Sequence, residues 1–211
     1  MKQYVITLSR QFGSLGRTIA QHMAAELGID FYDRDIVEET ASRMGLPVSV
    51  ISSKEEHSDS IYFRRQYPLG TGLASMQDEI FMIQKNIIRD LAQKEFCIIV
   101  GRCADSILMD MENHLNVYIY APLEARLRNC TDMLKMDEKT ARKMIWEVDR
   151  ARTLYHRRYC PEYVDASTNK DIMLDSSRFG VEGAQRYWLL WQKICLHNRY
   201  QRYCAVPLVD F

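Results

Sequence analysis

The chain predicts an α/β fold with a central five-stranded parallel sheet, and three observations carry that prediction. Short apolar runs alternate with stretches of helical spacing along the 211 residues. Phe96-Cys97-Ile98-Ile99-Val100 is continuously apolar, as a strand buried on both faces is. The first apolar run, Tyr4 to Leu8, leads through a glycine-bearing turn into a helix, and that is the setting of a phosphate-binding loop.

The first helix follows from Ile19, Met23 and Leu27, with Ala20 and Ala24 beside them and Gly28 as its C-cap. Ile29 to Tyr32 reads as the second strand, ending in Asp33-Arg34-Asp35, and a helix to Gly45 follows on Ile36, Val37, Thr40, Ala41 and Met44. Asp33 or Asp35 can serve as an N-cap there, or face a ligand at the carboxyl end of the sheet. From Pro47 to Met76 the pattern is polar and irregular, with Tyr62, Phe63, Arg64, Arg65 and Tyr67 as either anchors of a solvated loop or the lining of an anion site.

Met76 to Leu91 is helical, with Met76, Ile80, Ile83, Ile87 and Leu91 on the core face. After the strand at 96–100 comes Gly101-Arg102-Cys103-Ala104-Asp105. Leu115 to Tyr120 is the fourth strand, followed by a helix on Leu123, Leu127, Cys130 and Leu134. Lys139 to Tyr155 is a further helix, broken at Arg157-Arg158-Tyr159-Cys160-Pro161. Arg142, Asp149, Arg152 and His156 form one stripe beside its apolar face, which an exposed ladder of ion pairs would also explain. Asp171 to Asp175 is the last strand. A final helix is marked by Val181, Ala184, Trp188, Trp191 and Cys195, and the tail from Arg199 carries no assigned role.

With 28 basic and 28 acidic residues the net charge is zero, which argues against a generally cationic nucleic-acid binder while allowing a local basic pocket. Six cysteines without a C-x-x-C pair suit reduced, buried thiols better than a zinc site. No apolar run approaches the roughly 18 residues of a membrane span, and the opening residues do not form a signal peptide. The expectation is a soluble cytoplasmic protein whose partners are small molecules, neither nucleic acid nor membrane. Its oligomeric state is left open.

Within Ser9 to Thr18, Gly16 and Thr18 fit the pattern G-x-x-x-x-G-K-[ST], Gln11 stands at the first glycine, and Arg17 replaces the lysine. Taken alone, so degenerate a match also describes an ordinary turn between a strand and a core helix. Together with Phe31-Tyr32-Asp33-Arg34-Asp35, Ile99-Val100-Gly101-Arg102-Cys103-Ala104-Asp105, Asp149-Arg150-Ala151-Arg152 with Tyr155 and Tyr159, and Leu174-Asp175-Ser176-Ser177, it resembles the cytidylate kinase-like family of P-loop nucleoside and nucleotide kinases. The resemblance spans roughly residues 3 to 185.

What the resemblance implies is a three-layer P-loop kinase fold in one domain over 1–211, with an acceptor-binding insert at 47–76 and a helical lid at 153–170. ATP and Mg²⁺ would be the cofactors. Gly13, Ser14, Leu15, Gly16, Arg17 and Thr18 would cradle the nucleotide phosphates, with the Thr18 hydroxyl on the metal. Arg17, Arg102, Asp149 and Arg152 would serve catalysis, and Asp33, Arg64, Arg102 and Asp105 the acceptor. The chain departs from the family pattern at Leu15, where glycine is usual, and at Cys103, where an aspartate is usual. It departs again after Tyr159, where Cys160-Pro161-Glu162 stands in place of Thr-Gly and Trp-Gly elements. The expected activity is ATP-dependent phosphoryl transfer to a nucleoside monophosphate, with CMP or dCMP favoured by the resemblance. A nucleotide-binding regulatory protein with a degenerate loop, and a kinase of another small acceptor, stay open as alternatives.

Overall fold

In the computed structural model, which describes residues 4–51, 72–181 and 183, the chain runs β1 (Val5–Arg10), α1 (Gly16–Leu27), β2 (Asp30–Tyr32) and α2 (Arg34–Met44). It continues through α3 (Gly72–Lys94), β3 (Cys97–Val100), α4 (Ala104–Ile107), β4 (His114–Tyr120), α5 (Leu123–Asp132), α6 (Glu138–Tyr159) and β5 (Ile172–Asp175). All strand pairs are parallel and the sheet order is β2-β3-β1-β4-β5, with β1 in the centre. The strand whose loop carries the phosphate motif therefore has a neighbour on each side.

Layers on both faces explain the continuous apolar runs. Ile6 and Leu8 of β1 join Ile98, Val100, Val117 and Ile119 against Ile19, Ala20, Met23 and Ala24 of α1. Val5, Cys97 and Ile99 face the other way, onto Ile36 of α2, Ile87, Ile88 and Ala92 of α3, and Ile107 of α4. Each aliphatic side chain buried in this way contributes about 1.5–3 kcal/mol relative to exposure. A separate cluster of Leu127, Cys130, Ala141 and Ile145 joins α5 to α6, with Phe12 packed against it. No helix among the described residues is long and apolar enough to cross a membrane.

Helix ends follow the sequence signals in part. Gly28 and Gly45 close α1 and α2 in the left-handed conformation, and the Asp137 carboxylate caps α6 by accepting the Thr140 N–H at 3.0 Å. Asp33 occupies the N-cap position of α2 without making a cap bond. Helix α3 begins at Gly72, inside the stretch assigned to an insert. Helix α6 runs on to Tyr159 rather than breaking at Arg157. Its last turn is anchored on α3, where Tyr159 stacks on Phe81 at 4.1 Å and Asp78 accepts from Arg158 and Tyr159 at 2.8 Å each. The segment from residues 52 to 71, with Tyr62, Phe63, Arg64, Arg65 and Tyr67, lies outside the described residues. So do the proposed helix beyond 183 and the tail from Arg199.

Candidate active site

The loop between β1 and α1 is held open by side chains from three directions. Gln11 accepts the Ala121 N–H at 3.1 Å through Oε1, which fixes it to the end of β4. The Ser14 hydroxyl, fully buried, donates to the carbonyls of Gln11 and Ile119 at 2.9 and 3.2 Å. Asn129 of α5 donates to the Gly13 carbonyl at 2.8 Å. Gly13 and Leu15 take positive φ, 76° and 60°, just ahead of α1. The first N–H groups of a helix have no acceptor within it, so this loop presents donors and a positive dipole end to an anion.

Leu15 thus adopts the backbone that glycine supplies freely, at a strain of about 1–2 kcal/mol for a side-chain-bearing residue. Gly16 answers to packing, because a Cβ there would lie 2.7 Å from the Arg10 Cβ. Thr18 sits half-buried in the first turn of α1.

At the end of β3 the backbone turns through three consecutive left-handed residues, Gly101, Arg102 and Cys103, with φ of 77°, 58° and 54°. Two of them carry side chains, and strain of this kind persists only where surrounding structure fixes it. The turn sends Arg102 to a cavity of about 350 Å³ and buries Cys103 against Tyr155 and Cys160.

That cavity lies beneath α6 and the turns that follow it, over the carboxyl ends of β1, β3 and β4. Arg10, Gln11, Arg102, Asp149, Arg152 and Tyr118 are on its walls. The Phe12 N–H donates to Asp149 Oδ1 at 2.7 Å, and Arg126 of α5 pairs with the other Asp149 oxygen. Arg152 donates to the Arg10 carbonyl at 2.9 Å. The stripe on α6 is thereby divided: Asp149, Arg152 and His156 face inward, while Arg142 stays outside and pairs with Glu138.

The sequence reading gave no role to Arg10, which lines the cavity, or to Arg126, which pairs with Asp149 behind it. Arg10 fell within the Ser9 to Thr18 stretch read as the phosphate loop, but no role was assigned to its side chain. Arg126 sits beside Leu127 and one turn before Cys130, so its place near the inward stripe of α5 was the available signal. Burial first, and then Arg152, push the Arg10 pKa down to about 9, with Asp33 acting in the opposite sense. Burial also lowers that of Arg152, with Asp149 opposing. Charge is therefore concentrated in a partly desolvated place.

Asp33 does not cap α2 because its oxygens are taken: Oδ2 lies 2.9 Å from Arg17 Nε and Oδ1 lies 3.6 Å from Arg10. Arg17 is 55% exposed and absent from the cavity wall. Asp105, expected beside the acceptor, is instead buried in an ion cluster with Lys170 and with His156 Nε2 at 3.4 Å. Burial disfavours its charge, but His156 and Lys170 outweigh that and hold the carboxyl far below its usual range. Burial likewise opposes charge on His156, and the Asp105 contact outweighs it, so its pKa is raised. Arg64 lies outside the described residues.

The residues present fit a nucleotide with its metal. Among the described residues no group of three His, Cys, Asp or Glu side chains can hold an ion. A Mg²⁺ here would be held largely by nucleotide phosphates and water, as is usual for this ion, with the Thr18 hydroxyl as a protein donor and Asp33 engaged by Arg17 and Arg10.

A family model described as the cytidylate kinase-like family matches residues 5–178. Among curated proteins, none matches this chain. An uncharacterized protein from Eubacterium ventriosum is 25% identical, with a TM-score of 0.69, over 93% of this chain and 100% of that one. A shikimate kinase from Bacteroides thetaiotaomicron is 12% identical with a TM-score of 0.53, over 90% and 98% of the two chains. A gluconokinase from Sinorhizobium meliloti is 12% identical with a TM-score of 0.51, over 93% and 98%. These likenesses agree with the three-layer α/β architecture and its all-parallel sheet.

Proposed function

Because the chain belongs to the cytidylate kinase-like family, we propose that it transfers a phosphoryl group from ATP to a small phosphorylated acceptor, a nucleoside monophosphate such as CMP or dCMP. The observation that carries this reading is the meeting of Arg102 and Arg152 in one cavity, at the carboxyl ends of the strands and beside the loop that opens α1. Phosphoryl transfer asks for two anions held in line with their charge neutralised and water excluded. Arg102 suits the acceptor phosphate and Arg152 the transferring group. The loop from Gly13 to Thr18 suits the nucleotide phosphates.

Asp149, expected to serve catalysis, has its carboxylate engaged with Phe12 and Arg126, so it aligns the loop and α6. Residues 153–170 would act as the lid, with Arg152 at its root. ATP, when bound with Mg²⁺, supplies the phosphoryl group and the metal's charge.

A second reading, nucleotide binding without efficient transfer, is favoured by one observation. Arg17 is drawn to Asp33 and to solvent, away from the cavity. The deciding experiment is a coupled ADP-release screen across nucleoside monophosphates with Mg²⁺ATP, with Arg102→Met and Arg152→Met alongside. Turnover with CMP that falls at least a hundredfold in both variants supports the kinase reading. ATP binding by thermal shift, with no acceptor turned over, supports the second. Turnover of shikimate or gluconate in place of any nucleotide would reassign the acceptor class.

A further inference from the structure

Two arginines compete for the role that the replaced lysine leaves open, and their surroundings differ. The Arg17 side chain is 55% exposed and its Nε is paired with Asp33. The Arg10 side chain is 17% exposed and reaches the cavity wall. It follows a channel left by two glycines: a Cβ on Gly16 would lie 2.7 Å from its Cβ, and a Cβ on Gly101 would collide with its Nη1. The backbone on both sides is shaped around this one side chain.

Charge gives the channel a purpose. Arg10 has Arg17, Arg102 and Arg152 as electrostatic neighbours. Among the described residues Arg10 and Arg17 share Asp33, and Arg152 shares Asp149 with Arg126, so four guanidinium groups stand against two carboxylates. A surplus of guanidinium charge in a half-closed site is a receptor for a multiply charged anion.

We infer that Arg10, and not Arg17, grips the transferring phosphoryl group between donor and acceptor. The inference rests on the kinase reading above and assigns the residue that would act on its reacting atoms. In the transfer step, an ionised oxygen of the acceptor phosphate forms a bond to the γ-phosphorus. The bond from that phosphorus to the β–γ bridging oxygen breaks, and its electron pair leaves with ADP. No proton has to be taken up by the protein. Negative charge is spread over the γ oxygens as the bond loosens, and a planar guanidinium can hold two of them together. An incoming phosphate also offsets the neighbouring arginine charges that, after burial, lower the Arg10 pKa.

The test compares Arg10→Met, Arg10→Lys and Arg17→Met in two assays: ADP release with Mg²⁺ATP and the best acceptor, and binding of inorganic pyrophosphate by thermal shift. Thermal unfolding without ligand checks that each variant folds, and Arg10→Lys keeps a cation against Asp33 if the methionine variant does not. The expected result is a loss of about 10²–10³-fold in kcat for Arg10→Met, with partial recovery in Arg10→Lys. Arg17→Met is expected to weaken ATP affinity while kcat changes less than tenfold. Full turnover in Arg10→Met, or a loss confined to Arg17→Met, overturns the inference and leaves the kinase reading standing. If the wild type turns over no acceptor, the kinase reading fails by itself. Pyrophosphate binding then decides whether Arg10 holds phosphate: loss in both Arg10 variants supports that role, and retention removes it.

Discussion

The Phe12 N–H donates to Asp149 Oδ1 at 2.7 Å, so the turn after β1 is fastened to the middle of α6. The helix that roofs the cavity and the loop that would take the phosphates therefore share one carboxylate. Arg126 closes the same junction from α5, touching both the Asp149 carboxylate and the Phe12 carbonyl.

Removing that carboxylate should loosen three elements together. Asp149→Ala leaves the Phe12 amide without its acceptor and the Arg126 charge without its partner, at a cost of about 3 kcal/mol, whereas Asp149→Asn retains an acceptor for the amide and costs less. Urea unfolding of both variants, and of Arg126→Met in a double-mutant cycle, measures the coupling. Midpoints equal to wild type would refute the junction.

Asp105 should behave as a structural anion rather than an acceptor ligand. Asp105→Asn leaves the buried Lys170 ammonium uncompensated, with an expected loss on the order of 3–5 kcal/mol in stability. Lys170→Met should cost a similar amount. A variant with wild-type unfolding and a raised KM for the acceptor would restore the role expected from the sequence.

The same cluster predicts a stability profile in pH. The His156 pKa is raised from 6.5, so its contribution is complete below 6.5 and is lost as pH rises through the elevated folded value. The Asp105 pKa is lowered from 3.8, so its contribution is complete above 3.8 and fades as pH falls toward the folded value. Stability from this cluster should be greatest between about pH 4 and 6.5. In His156→Gln the decline on the alkaline side should flatten, which thermal unfolding at pH 6 and pH 8.5 would measure.

Leu15 offers a test of backbone strain. Leu15→Gly relieves the left-handed penalty but gains freedom in the unfolded chain, so its stability should stay within about 1 kcal/mol of wild type. Leu15→Val places a β-branched residue at φ 60° and should lose more than 1 kcal/mol. Equal unfolding midpoints for the two would contradict the role given to φ at this position.

The sheet was legible because both its faces are covered: runs such as Cys97 to Val100 carry no polar interruption. The helix caps at Gly28 and Gly45 were legible because glycine is what left-handed ends favour. Arg102, Asp149 and Arg152 could be nominated from spacing and resemblance, and the structure brings them to one cavity. The fate of Asp105 could not be read, since it depends on Lys170, 65 residues further on. Arg10 was hidden for a related reason. Its environment is made by two glycines, by Asp33 just beyond β2 and by Arg152 of α6, none of which local periodicity reports. Helix α4 was missed because only Gly101 announces the left-handed turn ahead of it, and Arg102 and Cys103 follow against their own preference.

That turn has a further consequence. Arg102 and Cys103 are consecutive in the chain yet belong to different surroundings, one on the cavity wall and the other in an apolar cluster with Tyr155 and Cys160. Inserting or deleting one residue between β3 and α4 would trade a guanidinium for a thiol at the wall and drive a cation among aromatic rings. The length of this connection is therefore fixed from two sides at once, and a chain folded on this sheet can exchange side chains there far more readily than it can change their count.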